Sequence, residues 1–415
     1  MTEEQERALQ LATEAGHILL ENGAEIGRVE ETMEHMAKSY GVEDESFFVL
    51  SNGIIATGQH YARAEFIPIK GTQLARVVAV NQLSRDIDGG AMPLDEVERR
   101  LKAIRTMGAK PWWELVLGVS LGVGAFSILF GGSLVDAAAT FSCGLLLGAF
   151  MAFVSPHLSR IFGSLVGGLV GGLLCILAVA VGFGEHLPNM IIGTIIALVP
   201  GVPFTNGMRD LANEDYLAGA TRLLDAFLVF LCIALGVVVA FVVEEALTGD
   251  LMVLDAPVTD ALTSAWYVQL ASAFVGTVGF AALFGAPRRY YAGSGLVGMA
   301  GWAVYLLCSV WTSAFSVVGA AFAAALVITV LSHLLAVLMR APVTVFLICG
   351  IIPLVPGGGI FWTAYYLVSD QLMLAATTGF TALKVTIAIA GGIITLTALV
   401  ARLQKRKHSR TTKTV

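Results

Sequence analysis

Apolar and polar positions divide the chain into two unlike parts. Over residues 3–21 the apolar positions Leu9, Ala12, Ile18 and Leu19 recur at helical spacing among acids, and residues 25–40 repeat the pattern up to Gly41, a natural helix stop. SFFVLSNGIIATGQ and ARAEFIPIK read as two strands joined by a short polar turn. LARVVAVNQLSRDI and PLDEVERRLKAIRTM predict two further helices, separated by a turn at Gly89-Gly90. Residues 1–111 are therefore expected to form a soluble α+β head. From Trp113 onward polar positions almost vanish. Apolar runs cover 113–130, 135–154, 161–183, 188–204 and 218–243, then 264–284, 290–309, 314–338, 343–368 and 376–401. Each is near the ~20 residues that span a bilayer as a helix. The expectation is ten transmembrane helices, five on either side of an acidic loop at 244–263. The first five-helix repeat then occupies 112–255, the second 256–402, and a basic tail 403–415.

Composition agrees with this partition. Hydrophobic residues make up 56% of the 415 and charged residues 13%, and the mean hydropathy is +0.79, which excludes a soluble globular domain of this length. The net charge of −6 hides a strong segregation: residues 1–112 hold 12 of the 25 basic and 18 of the 31 acidic groups, and the last 14 residues hold six basic groups and no acid. All five cysteines lie in apolar runs without a CxxC pair and read as small buried hydrophobes. The polar, acidic start MTEEQERALQ does not resemble a cleavable signal peptide.

Loop charges give the orientation. With the head in the cytosol, the inner loops carry Arg160, Arg209, Arg288, Arg289 and Arg340 plus the basic tail. The outer loops carry Asp136, Glu185, Glu244, Glu245, Asp250, Asp255, Asp260 and Asp370, and no lysine or arginine. The positive-inside rule is met with both termini inside.

The membrane part also repeats itself. IALVPGVPFTNG at 196–207 and IPLVPGGGIFWT at 352–363 place Leu-Val-Pro-Gly twice, 156 positions apart, each time in the fourth span of a half. WELVLGVSLGVGAFSILFGG likewise echoes WYVQLASAFVGTVGFAALFG, with Phe126 and Phe280 at matching places. An odd number of spans per half inverts the second half relative to the first. Such inverted repeats bind solute at the midplane on interrupted helices. Pro200-Gly201 and Pro356-Gly357-Gly358 would be the interruptions, exposing backbone groups that suit an ion or zwitterion.

In the head, LLENGAEIGRVEETM at 19–33, SNGIIAT at 51–57 and VNQLSRDIDGG at 80–90, followed by VPG, NGMRDL and DYLAGATRLLDAF, resemble the threonine/serine exporter family over essentially the whole chain. The first 250 or so residues resemble the family's head plus five helices, and the rest its five-helix C-terminal unit. This resemblance implies efflux of threonine and serine across the inner membrane, driven by the proton gradient, with dicarboxylate export (succinate-like) as the alternative known among split relatives.

Few residues offer chemistry. Charges inside the bilayer cost about 2.5–3.5 kcal/mol each, so intramembrane ones tend to be functional. Arg222 and Asp225 share a face of the fifth span and could pair, and Lys384 lies in the tenth. Asp225 is a candidate for the coupling proton or a substrate ammonium, and Arg222 or Lys384 for a substrate carboxylate. A structural ion pair near the inner surface is the bland alternative. Thr205 and Asn206, just past the first break, could hydrogen-bond a small polar solute, whereas Arg209 and Asp210 read as anchors of an inner loop. Glu25, Arg28 and Glu30 mark either a solvated, salt-bridged helix pair or a docking surface. His35 follows Glu31 by four residues, too few ligands for a metal. No GxSxG elbow, P-loop or nucleic-acid reader is present, so neither catalysis nor a cofactor is expected. The expected partners are a small amino acid or dicarboxylate, protons and the bilayer, with oligomerisation left open. A membrane-anchored hydrolase with a catalytic head and a passive channel are the remaining rivals.

Overall fold

The computed structural model describes residues 2–43, 45–58, 61–68, 71–88, 92–249, 260–312 and 315–411, with side chains to residue 400. The head contains α1 (Glu3–Glu21), α2 (Ile26–Lys38), β1 (Ser46–Leu50), β2 (Gly53–Gly58), β3 (Tyr61–Phe66), α3 (Leu74–Asp88) and α4 (Leu94–Arg105). Thr2 and Gln5 close a capping box that starts α1. After α2 the chain reverses at Gly41, whose φ of 72° suits glycine. Three strands form where two were expected. The apolar run 46–58 conceals a two-residue hairpin loop, Ser51-Asn52, that folds β2 back on β1 in the antiparallel order β1-β2-β3. Val49 and Ile54 turn inward to join Leu9, Ile18, Leu19, Ile26 and Met33 in the head core. The expected turn at Gly89-Gly90 lies outside the described residues.

The membrane part begins with α5 (Trp112–Leu129), α6 (Leu134–Phe153) and α7 (Arg160–Ala180), then α8 (Leu187–Ile195), α9 (Gly201–Ala212) and α10 (Tyr216–Thr248). It continues with α11 (Trp266–Leu283), α12 (Tyr291–Leu306), α13 (Val317–Leu338), α14 (Val343–Ile351), α15 (Gly357–Val368) and α16 (Leu372–Thr411). Among the described residues eight helices are long and apolar enough to cross a membrane, and two bent pairs, α8/α9 at 61° and α14/α15 at 45°, raise the number to ten if each pair is one span. The chain is a multi-pass membrane protein. The first bent pair runs to Ala212, beyond the expected end at 204, because the head covers its polar last turns. The helical backbone of α16 continues to Thr411, through part of the expected tail from 403. The expected boundary at 255/256 lies outside the described residues.

Both LVPG breaks have one geometry. Pro200 has φ −77° and ψ 58°, and Pro356 φ −76° and ψ 57°. These are inverse γ-turns, closed by Gly201 N–H on Val199 C=O at 2.8 Å and Gly357 N–H on Val355 C=O at 2.7 Å. A proline in lipid strips the helix ladder, and the tight turn partners an amide that would otherwise be orphaned.

The breaks also contact each other reciprocally. A Cβ on Gly201 would lie 2.6 Å from Ile352 Cδ1, and one on Gly357 3.1 Å from Ile196 Cδ1. Accordingly α9 packs on α14 and α8 on α15. The same reciprocity governs the α5–α11 crossing. Phe126 fills the space at Gly276, Phe280 the space at Gly122, and the two rings meet edge to face at 5.2 Å. Likewise α10 approaches α7 at Gly236 and α16 approaches α13 at Gly392, backbone against backbone. Head and membrane parts join end to end: the N–H groups of Leu74 and Ala75, at the start of α3, bond the carbonyls of Phe284 and Gly285, the two residues that follow α11.

Gly276→Val would drive its side chain into the Phe126 ring, because even a bare Cβ at this position would lie 2.6 Å from the nearest ring carbon. The variant is expected to lose about 1–3 kcal/mol of stability, seen as a lower melting temperature in detergent.

Candidate functional site

The second break opens into a chamber of about 480 Å³ that reaches the surface opposite the head. Leu129, Phe130 and Gly131 from α5 and the loop after it, Gln269 from α11, and Trp302, Tyr305 and Trp311 from α12 and its π-turn continuation wall it on one side. Pro353 to Pro356, Gly358 and Gly359 form its floor, and Thr378, Thr381 and Ala382 of α16 close it. None of these described lining residues carries a formal charge. Trp302 and Tyr305 stack at 5.0 Å and 19°. Trp302 Nε1 donates to Gln269 Oε1 at 3.0 Å, and Gln269 Nε2 donates to the carbonyls of Thr263 and Ile128, so the amide is held and the ring position fixed. At the floor α15 begins. Gly357 N–H is taken by the γ-turn and Ile360 N–H by Pro356, while those of Gly358 and Gly359 have no partner among the described residues. Two amides and the positive end of a helix thus face the chamber. The first break offers less, since Pro203 stands where the second half has Gly359 and brings no N–H. A Cβ on Gly359 would lie 2.7 Å from Ala382 Cβ, so only glycine lets α15 approach α16 here.

On the head side of the first break the polar residues are buried under the α1–α2 loop. Gly23, at φ 84°, lets that loop lie on Val202. Asn206 Nδ2 donates to Gly23 C=O at 2.6 Å. Asp210 Oδ1 accepts Ile26 N–H at 3.0 Å. It supplies the cap that Glu25, at the N-cap position of α2, does not make. Arg222 bridges Asp210 Oδ2 at 2.6 Å and Ala24 C=O at 2.8 Å, and the side chains of Arg222 and Asp210 are only 5% and 0% exposed. Arg209 lies against Glu25 at 2.6 Å.

The expected sites are therefore redistributed. The Arg222–Asp225 pair does not form: Arg222 points to Asp210 and the head, and Asp225 pairs with Arg160 of α7 at the rim. Lys384 is exposed on α16 and forms no ion pair among the described residues. Of the three head residues, Glu25 docks on Arg209, Arg28 pairs with Glu31, and Glu30 turns inward to accept Val49 N–H. Burial pushes the Glu30 carboxyl above its ordinary range, partly offset by that bond. Pro200, Gly201, Pro356, Gly357 and Gly358 sit at the breaks as expected, and Thr205 and Asn206 lie beneath the head. Gly359, Gln269, Trp302 and the two threonines of α16 escape sequence reasoning. The glycine run PGGG is the one signal for Gly359, and the others read as ordinary span residues.

At the opposite surface Asp136, Glu185 and His186 bring three ligand atoms within 4.8 Å. The Asp136 oxygens are already engaged by the N–H groups of Ser133, Glu185 and His186 and by His186 Nδ1, so the group acts as a staple between α6 and α8. In the head, Arg7, His17, Arg63, Glu65, Glu98 and Arg105 line a polar cleft of about 450 Å³, and their charges pair within the head.

Residues 10–243 match the family model described as "Putative threonine/serine exporter", and residues 269–399 match a second, "Threonine/Serine exporter, ThrE". A threonine/serine exporter of Corynebacterium glutamicum is 25% identical over 340 residues, covering 80% of this chain and 69% of its own. A "Probable threonine/serine exporter" of Mycobacterium tuberculosis is 23% identical over 404 residues, 90% of this chain and 74% of its own. A "Probable succinate transporter subunit" of Klebsiella aerogenes is 24% identical over 246 residues, 57% of this chain and 94% of its own. No solved structure matches the chain.

Two outcomes follow from the docking geometry. Arg222→Met strands the buried Asp210 carboxylate and is expected to cost about 3–5 kcal/mol, read as a fall in melting temperature and as proteolytic release of the head. Glu30→Gln removes a carboxyl that holds its proton more tightly folded than unfolded. Its ionisation weakens the fold as pH rises through the range above the ordinary carboxylate value, so the variant should gain thermal stability over wild type at pH 8 and not at pH 4.

Proposed function

The chain belongs to the threonine/serine exporter family, and on that premise we propose that it is a secondary exporter of threonine and serine. It moves these amino acids out across the inner membrane in exchange for protons. Ten spans in two inverted five-helix units, with the head and both termini in the cytosol, carry out alternating access. The matching γ-turns, the reciprocal Gly–Phe and Gly–Ile contacts and the equivalent α7–α10 and α13–α16 crossings support the inverted arrangement. The arginines on the head side and the acids opposite support the orientation.

The observation that carries the substrate reading is a chamber whose described lining residues bear no formal charge. A zwitterion is net neutral and can be met by dipoles. The free Gly358 and Gly359 amides at the start of α15 suit its carboxylate, the stacked Trp302 and Tyr305 faces suit its ammonium, and the hydroxyls of Thr378 and Thr381 suit a side-chain hydroxyl. A dicarboxylate would bring a second anion with no cation among the described lining residues, a costly burial. Asp225, shared with Arg160 and 34% exposed at the side chain, is the span carboxylate assigned to proton uptake and release on the cytosolic side.

Purified protein in liposomes is expected to move radiolabelled threonine and serine when a pH step is imposed, and not succinate. Succinate flux without threonine flux would establish the dicarboxylate reading, and flux indifferent to the pH step a passive channel. Gly359→Pro in an Ala382→Gly background copies the first half's Pro203, makes room for the ring and removes one amide. It should raise the KM for threonine about tenfold or more, with Ala382→Gly alone near wild type. Asp225→Asn should reach the membrane normally and export poorly.

A further inference from the structure

Beneath the head, one turn beyond the first break, buried polar atoms without hydrogen bonds are concentrated. They are Thr205 Oγ1, Asn206 Oδ1, Arg209 Nε and Nη1, and Glu25 Oε2. Native interiors satisfy nearly all such atoms, so a cluster of orphans calls for an explanation. Arg209 Nη1 and Glu25 Oε2 form an ion pair at 2.6 Å without a well-directed hydrogen bond between them. Both side chains are 6% exposed, and Thr205 and Asn206 are 0% and 1% exposed.

We infer that Arg209, Thr205 and Asn206 form a second, head-side station for the amino-acid substrate, and that Glu25 occupies it as a stand-in for the substrate carboxylate. The inference rests on the exporter reading above. An arginine stays protonated at this depth and demands an anion with which to pair. The neighbouring cation, Arg222, is held by Asp210 of α9 in a hydrogen-bonded pair at 2.6 Å, whereas the carboxylate on Arg209 comes from the head loop, so the partner of Arg209 can be exchanged when that loop moves. Exchanging Glu25 for a substrate carboxylate keeps an anion against Arg209 while the ammonium that comes with it needs acceptors of its own, whereas an amide or ester of the same amino acid brings no anion at all. The free carbonyl of Asn206 accepts from an ammonium, and the Thr205 hydroxyl can donate or accept. The remaining anchors of the loop run from side chains of α9 and α10 to loop backbone at Gly23, Ala24 and Ile26. The head loop is thereby both lid and competitor: substrate arriving from the cytosol displaces Glu25 as the loop lifts, then passes the break to the chamber opposite.

The test uses the full chain. In detergent, calorimetric titration with L-threonine should show Glu25→Gln binding about fivefold or more tighter than wild type, because the competitor is no longer an anion. Threoninamide, lacking the carboxylate, should show no such gain, and Arg209→Gln should bind threonine at least tenfold more weakly. Because the arginine variant can simply unfold, a staple provides an independent reading. A Cβ on Gly27 would lie 3.5 Å from Asn213 Nδ2, so the two side chains adjoin and Gly27→Cys/Asn213→Cys is the pair to oxidise, with disulfide formation verified by thiol titration before transport is read. In liposomes the oxidised staple should stop threonine export and reduction should restore it, with oxidised wild type unaffected. Unchanged affinity in Glu25→Gln together with full export by the oxidised staple would overturn the station while leaving the exporter reading intact. Absence of threonine flux in wild type and in the reduced staple alike would overturn the exporter reading itself.

Discussion

Within hydrocarbon, a backbone group released from a helix has no water to bond, and the whole membrane part is arranged around this constraint. Two prolines interrupt helices in the middle of the protein. The γ-turn at each break recovers one amide, and the facing half shelters the rest: Ile352 lies over Gly201 and Ile196 over Gly357. The halves therefore have to meet at their breaks. The Phe126–Phe280 crossing and the backbone approaches at Gly236 and Gly392 are the packing that holds them there. Where the sheltering is incomplete, at Gly358 and Gly359, the open amides face the chamber.

The head answers the same constraint on the other side. Asp210, Arg209 and Arg222 are charges in a span, and solvent does not neutralise them. The α1–α2 loop does so, presenting carbonyls to Asn206 and Arg222, an N–H to Asp210 and a carboxylate to Arg209. A helix of the head is capped by an aspartate 184 residues away, and another starts on the two carbonyls just after α11. Head and transport elements are thus one mechanical body in this conformation, and any opening of the loop has to break contacts with α9 and α10 together.

Much of this was legible in the sequence. Run lengths of apolar residues located the spans, and the LVPG pair located both breaks. These signals are local or periodic, so they survive without knowledge of the fold. The missing parts are those set by tertiary contact. Arg222 and Asp225 share a helix face, yet each finds its partner elsewhere, Asp210 and Arg160, because helix packing outweighs a surface i,i+3 pairing. Arg209 and Asp210 looked like loop anchors and proved to anchor a domain. The Ser51-Asn52 hairpin was hidden inside an unbroken apolar stretch. Gln269, Trp302 and Thr381 carry no pattern of their own and gain meaning only from the cavity they share.

Reciprocal sheltering has a consequence for biogenesis. Pro200 leaves the ribosome 156 residues ahead of Pro356, and at roughly 5–20 residues per second that is a delay of about 10–30 s. During this interval the first half lies in the bilayer with its fracture uncovered and no mate to close it. The insertion machinery, or a neighbouring nascent chain, has to shield it. Synthesis speed across α11 to α14 then sets how long the newborn polypeptide remains vulnerable to mispairing.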